Sequence, residues 1–200
     1  MKRSFTIWFT GMSGSGKSTI GRAVGDALHL RGLRVEVLDS GRIRQQLNRQ
    51  LGFTREEIET NLVRLAYECK LLNRNGVTVI VTAVSPYRDV RERIRNGLAG
   101  LVEVYCRCPM DVLEERGSAE LFERARDGEI AHVAGVNAPY EEPLNPEVLL
   151  ETDKLTVDDA VNRTIAVLED IGHIERVESA CYSPDEEEMI RRRLQDLGYL

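Results

Sequence analysis

The stretch Gly11-Met12-Ser13-Gly14-Ser15-Gly16-Lys17-Ser18 fits the spacing G-x-x-x-x-G-K-[ST] of a phosphate-binding loop. The apolar run Phe5-Thr6-Ile7-Trp8-Phe9 before it reads as a buried strand, and residues 19–30 after it read as a helix. Strand, glycine loop and helix are the context the motif requires. Glycines let successive backbone N–H groups turn toward one anion, and the helix brings its positive end to the same point. Gly11, Ser13, Gly14, Ser15, Gly16, Lys17, Ser18 and Thr19 are therefore the candidate ligands of a nucleoside triphosphate. Lys17 would reach the β- and γ-phosphates, and the Ser18 hydroxyl would ligate Mg²⁺.

The chain of 200 residues has the length of one domain with room for an appendage. Its net charge of −6, from 27 Lys+Arg against 33 Asp+Glu, argues against nonspecific binding to nucleic acid or to an anionic membrane. No run approaches the ~20 apolar residues of a membrane span. Lys2 and Arg3 precede an apolar run too short for a signal sequence, so a cytoplasmic protein is expected. Cys69, Cys106, Cys108 and Cys181 lack the pairing of a zinc site and read as reduced thiols. His29, His132 and His173 are scattered and receive no role.

Further along, residues 33–38 read as a second strand with Asp39 at its carboxyl end, where open α/β sheets bind ligands. Asp39 is a candidate Mg²⁺ ligand and catalytic carboxylate, or a cap for a short helix over 42–50. Thr54 and Glu57 form a capping box that opens a helix to about 73. The β-branched run 77–84 reads as a central strand, followed by a helix over 89–96, a strand over 101–108 and a helix over 110–116. Residues 117–146 combine a short helix at 119–126 with a long irregular segment of the kind that forms a lid. A last strand at 148–151 and a helix at 156–171 complete a unit of 1–174. The tail 175–200 carries a helix start at Ser183-Pro184-Asp185-Glu186 and an apolar stripe, Met189, Ile190, Leu194 and Leu197. The expected architecture is an α/β P-loop NTPase fold: a five-stranded parallel sheet flanked by helices, a lid, and an extra C-terminal helix.

The order of these segments resembles the adenylylsulfate kinases. The resemblance rests on 11–18, Val37-Leu38-Asp39, Ile43-Arg44, Leu47-Asn48-Arg49, Leu51-Gly52-Phe53, Asn61, Arg64, Ser85-Pro86-Tyr87-Arg88, the run from Arg124 to Ile130, and Pro139-Tyr140-Glu141 with Pro143. It implies a kinase that moves the ATP γ-phosphate to the 3′-hydroxyl of adenosine 5′-phosphosulfate or a related nucleotide, with Mg²⁺, a mobile lid and usually a homodimer. It implies that Arg44 holds the anionic end of that substrate, that Phe53 stacks on its adenine, and that Asn61 and Ser85 are further contacts.

Departures from the family pattern cluster on the acceptor side. The second aspartate of the family's Asp-Gly-Asp-Asn is Gly41, and Arg42 adds a cation beside it as a candidate substrate contact. An expected arginine is Ile58, another is Val63, the lid's Lys-Gly-Leu-Tyr reads Ala119-Glu120-Leu121-Phe122, and the second aromatic of the adenine sandwich is Val133. The alternatives are a catalytically weakened nucleotide-binding regulatory protein and a kinase for another small hydroxyl substrate. A GTPase ranks below both, because an Asn/Thr-Lys-x-Asp pattern is not evident.

Overall fold

The apolar run before the phosphate loop becomes β1 (Thr6–Thr10), buried along its whole length, as a central parallel strand must be. The computed structural model describes residues 4–176 together with Met189, Arg193 and Gln195. The elements after β1 are α1 (Lys17–Leu30), β2 (Val35–Asp39), α2 (Ser40–Leu47), α3 (Arg55–Arg74), β3 (Thr78–Thr82) and α4 (Arg88–Gly97). Then come β4 (Leu101–Arg107), α5 (Met110–Leu113), α6 (Ala119–Arg126), β5 (Val148–Glu151) and α7 (Val157–Asp170). The five strands form one all-parallel sheet in the order β2-β3-β1-β4-β5. The chain thus winds first to one side of β1 and then to the other. The crevice this leaves at the carboxyl end of β1 is where such sheets take their ligands, and the phosphate loop fills it.

Two apolar layers sandwich the sheet. Ile20, Val24 and Leu28 of α1 and Ala160, Ile165 and Leu168 of α7 cover one face. Leu62, Leu65 and Cys69 of α3 and Val90 and Ile94 of α4 cover the other. Both long helices start on the caps their sequences encode: Thr54 accepts from Glu57 N–H in a reciprocal capping box, and Thr156 does the same with Asp159. β2 starts two residues later than the sequence suggests, because Leu33 N–H closes α1 on the Leu28 carbonyl. The helix expected over 110–116 stops at Leu113. A wide turn, Glu114–Ser118, follows, with Gly117 at φ 93°. Cys69, Cys106 and Cys108 are buried free thiols, and the described residues hold no group of three or more His, Cys, Asp or Glu side chains that could hold a metal ion. Burial pushes the Cys69 and Cys106 thiols up to about 12. No described helix is long and apolar enough to cross a membrane. The expected tail helix and Cys181 lie outside the described residues, apart from helical positions at Met189, Arg193 and Gln195.

Behind the sheet's amino ends, His173 stacks on Phe5 at 4.5 Å between centroids. Burial holds its imidazole below the ordinary 6.5, against a smaller upward pull from Glu147. Between that lowered value and 6.5 the unfolded chain binds the extra proton, so stability falls as pH drops across this window, and the penalty is fully present below it. We expect the melting temperature to fall as pH drops from 7 to 5. His173→Phe should flatten this part of the profile in thermal melts, and an unchanged slope would count against the assignment.

Candidate active site

Gly11 and Gly14 are needed for close approach, not only for turning. A Cβ at Gly11, where φ is 150°, would lie 2.4 Å from the Cys106 carbonyl oxygen. One at Gly14, where φ is 81°, would lie 2.3 Å from Ser118 Oγ. The loop is therefore wedged between β4 and the wide turn before α6. Ser15 is fully buried, and its N–H donates to the Met12 carbonyl at 3.2 Å. Lys17 is buried as well, with Nζ donating to Met12 O at 2.6 Å and to Ser15 Oγ at 3.4 Å. Burial lowers its ammonium to about 8, partly countered by Cys106 and Asp39. A phosphate would relieve that desolvated cation.

Asp39 caps α2 with one carboxylate oxygen and turns the other toward the phosphate loop. Its Oδ1 caps α2, accepting from Gly41 N–H at 3.1 Å and Arg42 N–H at 3.2 Å. Its Oδ2 accepts from Ser18 Oγ at 2.7 Å and from Thr82 Oγ1 at 3.1 Å. Burial alone would raise this carboxyl. The bonds from Ser18, Arg42, Thr82 and Gly41 outweigh it and hold the group below the usual carboxylate value. Ser18, Thr82 and ionised Asp39 form a compact set of hard oxygen donors, the kind Mg²⁺ prefers. Thr82 is a member of this set that sequence reasoning missed. Its signal was a polar residue closing an otherwise apolar strand at the carboxyl edge of the sheet.

One cavity of about 540 Å³ joins this phosphate end to the predicted acceptor end. Ser13, Gly14, Gly16, Lys17, Ser18, Thr19 and Asp39 line one part of it, and Arg44, Phe53, Asn61 and Ser85 line the other. The Arg44 guanidinium lies over the Phe53 ring, 3.4 Å from its centroid, and donates to the carbonyls of Leu51 and Gly52. Arg44 is thereby tied to the loop that carries Phe53, and the two side chains form one wall. Asn61 accepts from Asn48 Nδ2 and donates to Ser40 Oγ, and Arg64 braces Asn48 from behind. Ser85 sits at φ 46°, with its hydroxyl accepting from Trp8 Nε1 at 2.9 Å. Gly41, Ile58 and Val133 also line the cavity, whereas Val63 is exposed and Ala119 stands outside the lining. Arg42 does not line it either: the side chain is exposed on the outer side of α2, although its backbone N–H bonds Asp39.

The segment expected as a lid covers the phosphate loop. Phe122, Leu113 and Cys108 form a small apolar cluster against which Met12, Leu121, Val133 and Val136 pack. Its returning segment at Glu141 is held down by a buried arginine that the sequence did not single out. Arg91 NH1 donates to Ser85 O at 2.6 Å, NH2 donates to Glu141 O at 2.6 Å, and Nε lies 2.8 Å from Glu103 Oε1. Arg95 bridges Glu103 and Glu147 beside it. Replacing Arg91 by methionine would strand the Glu103 carboxylate, which is only 11% exposed. We expect a loss of about 3 kcal/mol, read from the midpoint of urea unfolding. A loss under about 1 kcal/mol would mean that Arg95 alone carries the network.

The adenylylsulphate kinase family model matches residues 3–151. The adenylyl-sulfate kinase of Rippkaea orientalis is 42% identical over 173 residues, spanning 86% of this chain and 96% of the relative. That of Gloeothece citriformis is 43% identical over the same length, spanning 86% and 98%. Among solved structures, the Mycobacterium tuberculosis APS kinase CysC in complex with AMPPNP and APS superposes with a TM-score of 0.80 at 36% identity, covering 84% of this chain and 99% of that one. A gluconokinase from Sinorhizobium meliloti, 17% identical with a TM-score of 0.57, shares the fold alone. With the loop, the carboxylate and the acceptor wall all in the matched region, the chain belongs to the adenylylsulfate kinase family.

Proposed function

We propose that this kinase transfers the γ-phosphoryl group of ATP to the 3′-hydroxyl of adenosine 5′-phosphosulfate. The carrying observation is the single cavity that sets Lys17 and Ser18 at one end and Phe53, Asn61 and Ser85 at the other. Loop N–H groups from Gly11 to Thr19 bind the triphosphate, and the Lys17 ammonium neutralises charge on the transferred group. Ser18 and Asp39 would hold Mg²⁺, which supplies further charge neutralisation on the phosphates. Asp39 also orients the acceptor hydroxyl and takes its proton as the oxygen bonds to phosphorus and the β–γ bridge breaks, releasing ADP. Phe53, backed by Arg44, offers a face to the adenine, and Asn61 and Ser85 give polar contacts. The kinase unit is 1–174 with its lid at 117–146, and a cytoplasmic homodimer is the form we expect, which light scattering would test for assembly.

An ADP-release assay with adenosine phosphosulfate and a panel of other nucleotides with a free 3′-hydroxyl tests the reading. Turnover of the phosphosulfate above the ATPase background is expected. ATP binding without turnover of any acceptor would overturn it in favour of a nucleotide-binding regulatory protein, the reading that Gly41 favours by removing the family's second aspartate.

A further inference from the structure

Among the described residues the cavity is lined by two aromatic side chains, Phe53 on the loop after α2 and His132 in the lid segment. His132 is one of two non-glycine residues with positive φ among those described, at 62°. A side chain in that region carries a backbone cost that glycine avoids, and it persists only where the surroundings fix it. Here one side chain does the fixing. Asn137 accepts from Val133 N–H at 2.7 Å and donates to Ile130 O at 2.6 Å and Ala125 O at 2.9 Å. The peptide on each side of the 131–132 pair is thus pinned, and His132 has no freedom to relax.

Nothing in the fold explains why histidine is there. The side chain is exposed, and among the described residues it has no hydrogen bond, ion pair or ring contact. It packs in neither of the apolar layers nor in the lid cluster. Among the described residues its one relation is to the cavity it lines, together with its neighbour Val133 and with Phe53. A planar base binds best between planar groups, and an aliphatic wall such as Val133 gives it no stacking partner.

We infer that His132 is the second wall of the acceptor's base seat: its imidazole closes on the base that Phe53 holds from the other side, and its ring nitrogens add a polar contact at the base edge. The strained backbone is the cost of placing a ring there from the residue before Val133. This inference rests on the acceptor reading given above.

Two variants separate a base contact from a structural role. His132→Gly removes the ring and relieves the backbone, and His132→Asn removes the ring while keeping a residue that tolerates positive φ. With adenosine phosphosulfate as the probe, both should raise the acceptor KM about tenfold, while the KM for Mg·ATP stays within about twofold and the glycine variant melts no lower than wild type. An unchanged acceptor KM in either variant, with wild-type turnover intact, overturns the inference and leaves the acceptor reading standing. A parallel rise in the KM for Mg·ATP overturns it in favour of lost lid order. No turnover of adenosine phosphosulfate by the wild-type protein overturns the acceptor reading and this inference together.

Discussion

Asp39→Asn should lower kcat by about 10³-fold while leaving the fold intact. The two halves of this expectation come from the two oxygens of one side chain. Oδ1 caps α2 by accepting from Gly41 and Arg42, and asparagine is as good a helix cap as aspartate. Oδ2 faces the hydroxyls of Ser18 and Thr82, both of which can rotate to accept from an amide instead of donating to a carboxylate. The hydrogen-bond pattern therefore survives the change, and the negative charge does not. With the charge go the oxygen beside Ser18 that we propose holds Mg²⁺ and, among the described residues, the one carboxylate lining the cavity. Position 41 is glycine, and among the described residues no second carboxylate lines the cavity to take over the duty. Initial rates of ADP release at saturating substrates measure the loss, and a thermal melt within about 3 °C of wild type shows that the cap has held. A variant keeping more than about a tenth of wild-type kcat would show that positioning alone carries the reaction and that Asp39 serves α2.

Local chemistry explains what was legible in the sequence. The phosphate loop, the Thr54–Glu57 capping box, α6 and β5 are written in contiguous residues, and the structure places them where the spacing puts them. The parallel sheet follows from alternating β and α units, whereas its order β2-β3-β1-β4-β5 was not read from the sequence. Functional features that depend on distant partners were less visible. Thr82 is an ordinary strand residue until the sheet brings it beside Asp39, 43 positions away in sequence. Arg91 looks like one more charge on a polar helix, and only the fold shows it tied to Ser85, Glu103 and Glu141. Arg44 could be read as an anion ligand, but not as the group that covers one face of Phe53. Arg42, read as a compensating cation, faces out because α2 starts at Ser40 and turns that position away from the cavity. His132 was one of three scattered histidines, since the backbone angle that sets it apart has no signature in composition.

Lys17→Met should lower kcat by about 10³-fold and at the same time make the protein no less stable. Methionine has the length and flexibility to follow the lysine stem through the same buried slot. What it lacks is the charge. The lowered pKa of Lys17 means that the folded chain gives up this proton more readily than the unfolded chain. Stability therefore rises with pH between about 8 and 10.5, and the penalty for burying the ammonium is fully present below about 8. Removing the charge at neutral pH removes that penalty. The partner left behind is not stranded, because the Met12 carbonyl still accepts from Ser15 N–H. Catalysis moves the opposite way, since a preorganised cation aimed at the transferred phosphoryl group acts where charge builds up. Melting curves at pH 7 should place the variant at or above wild type, and ADP-release rates should place it near background. A lower melting temperature would mean that the ammonium bonds to Met12 and Ser15 hold the loop together, and retained activity would move the role of charge neutralisation away from Lys17.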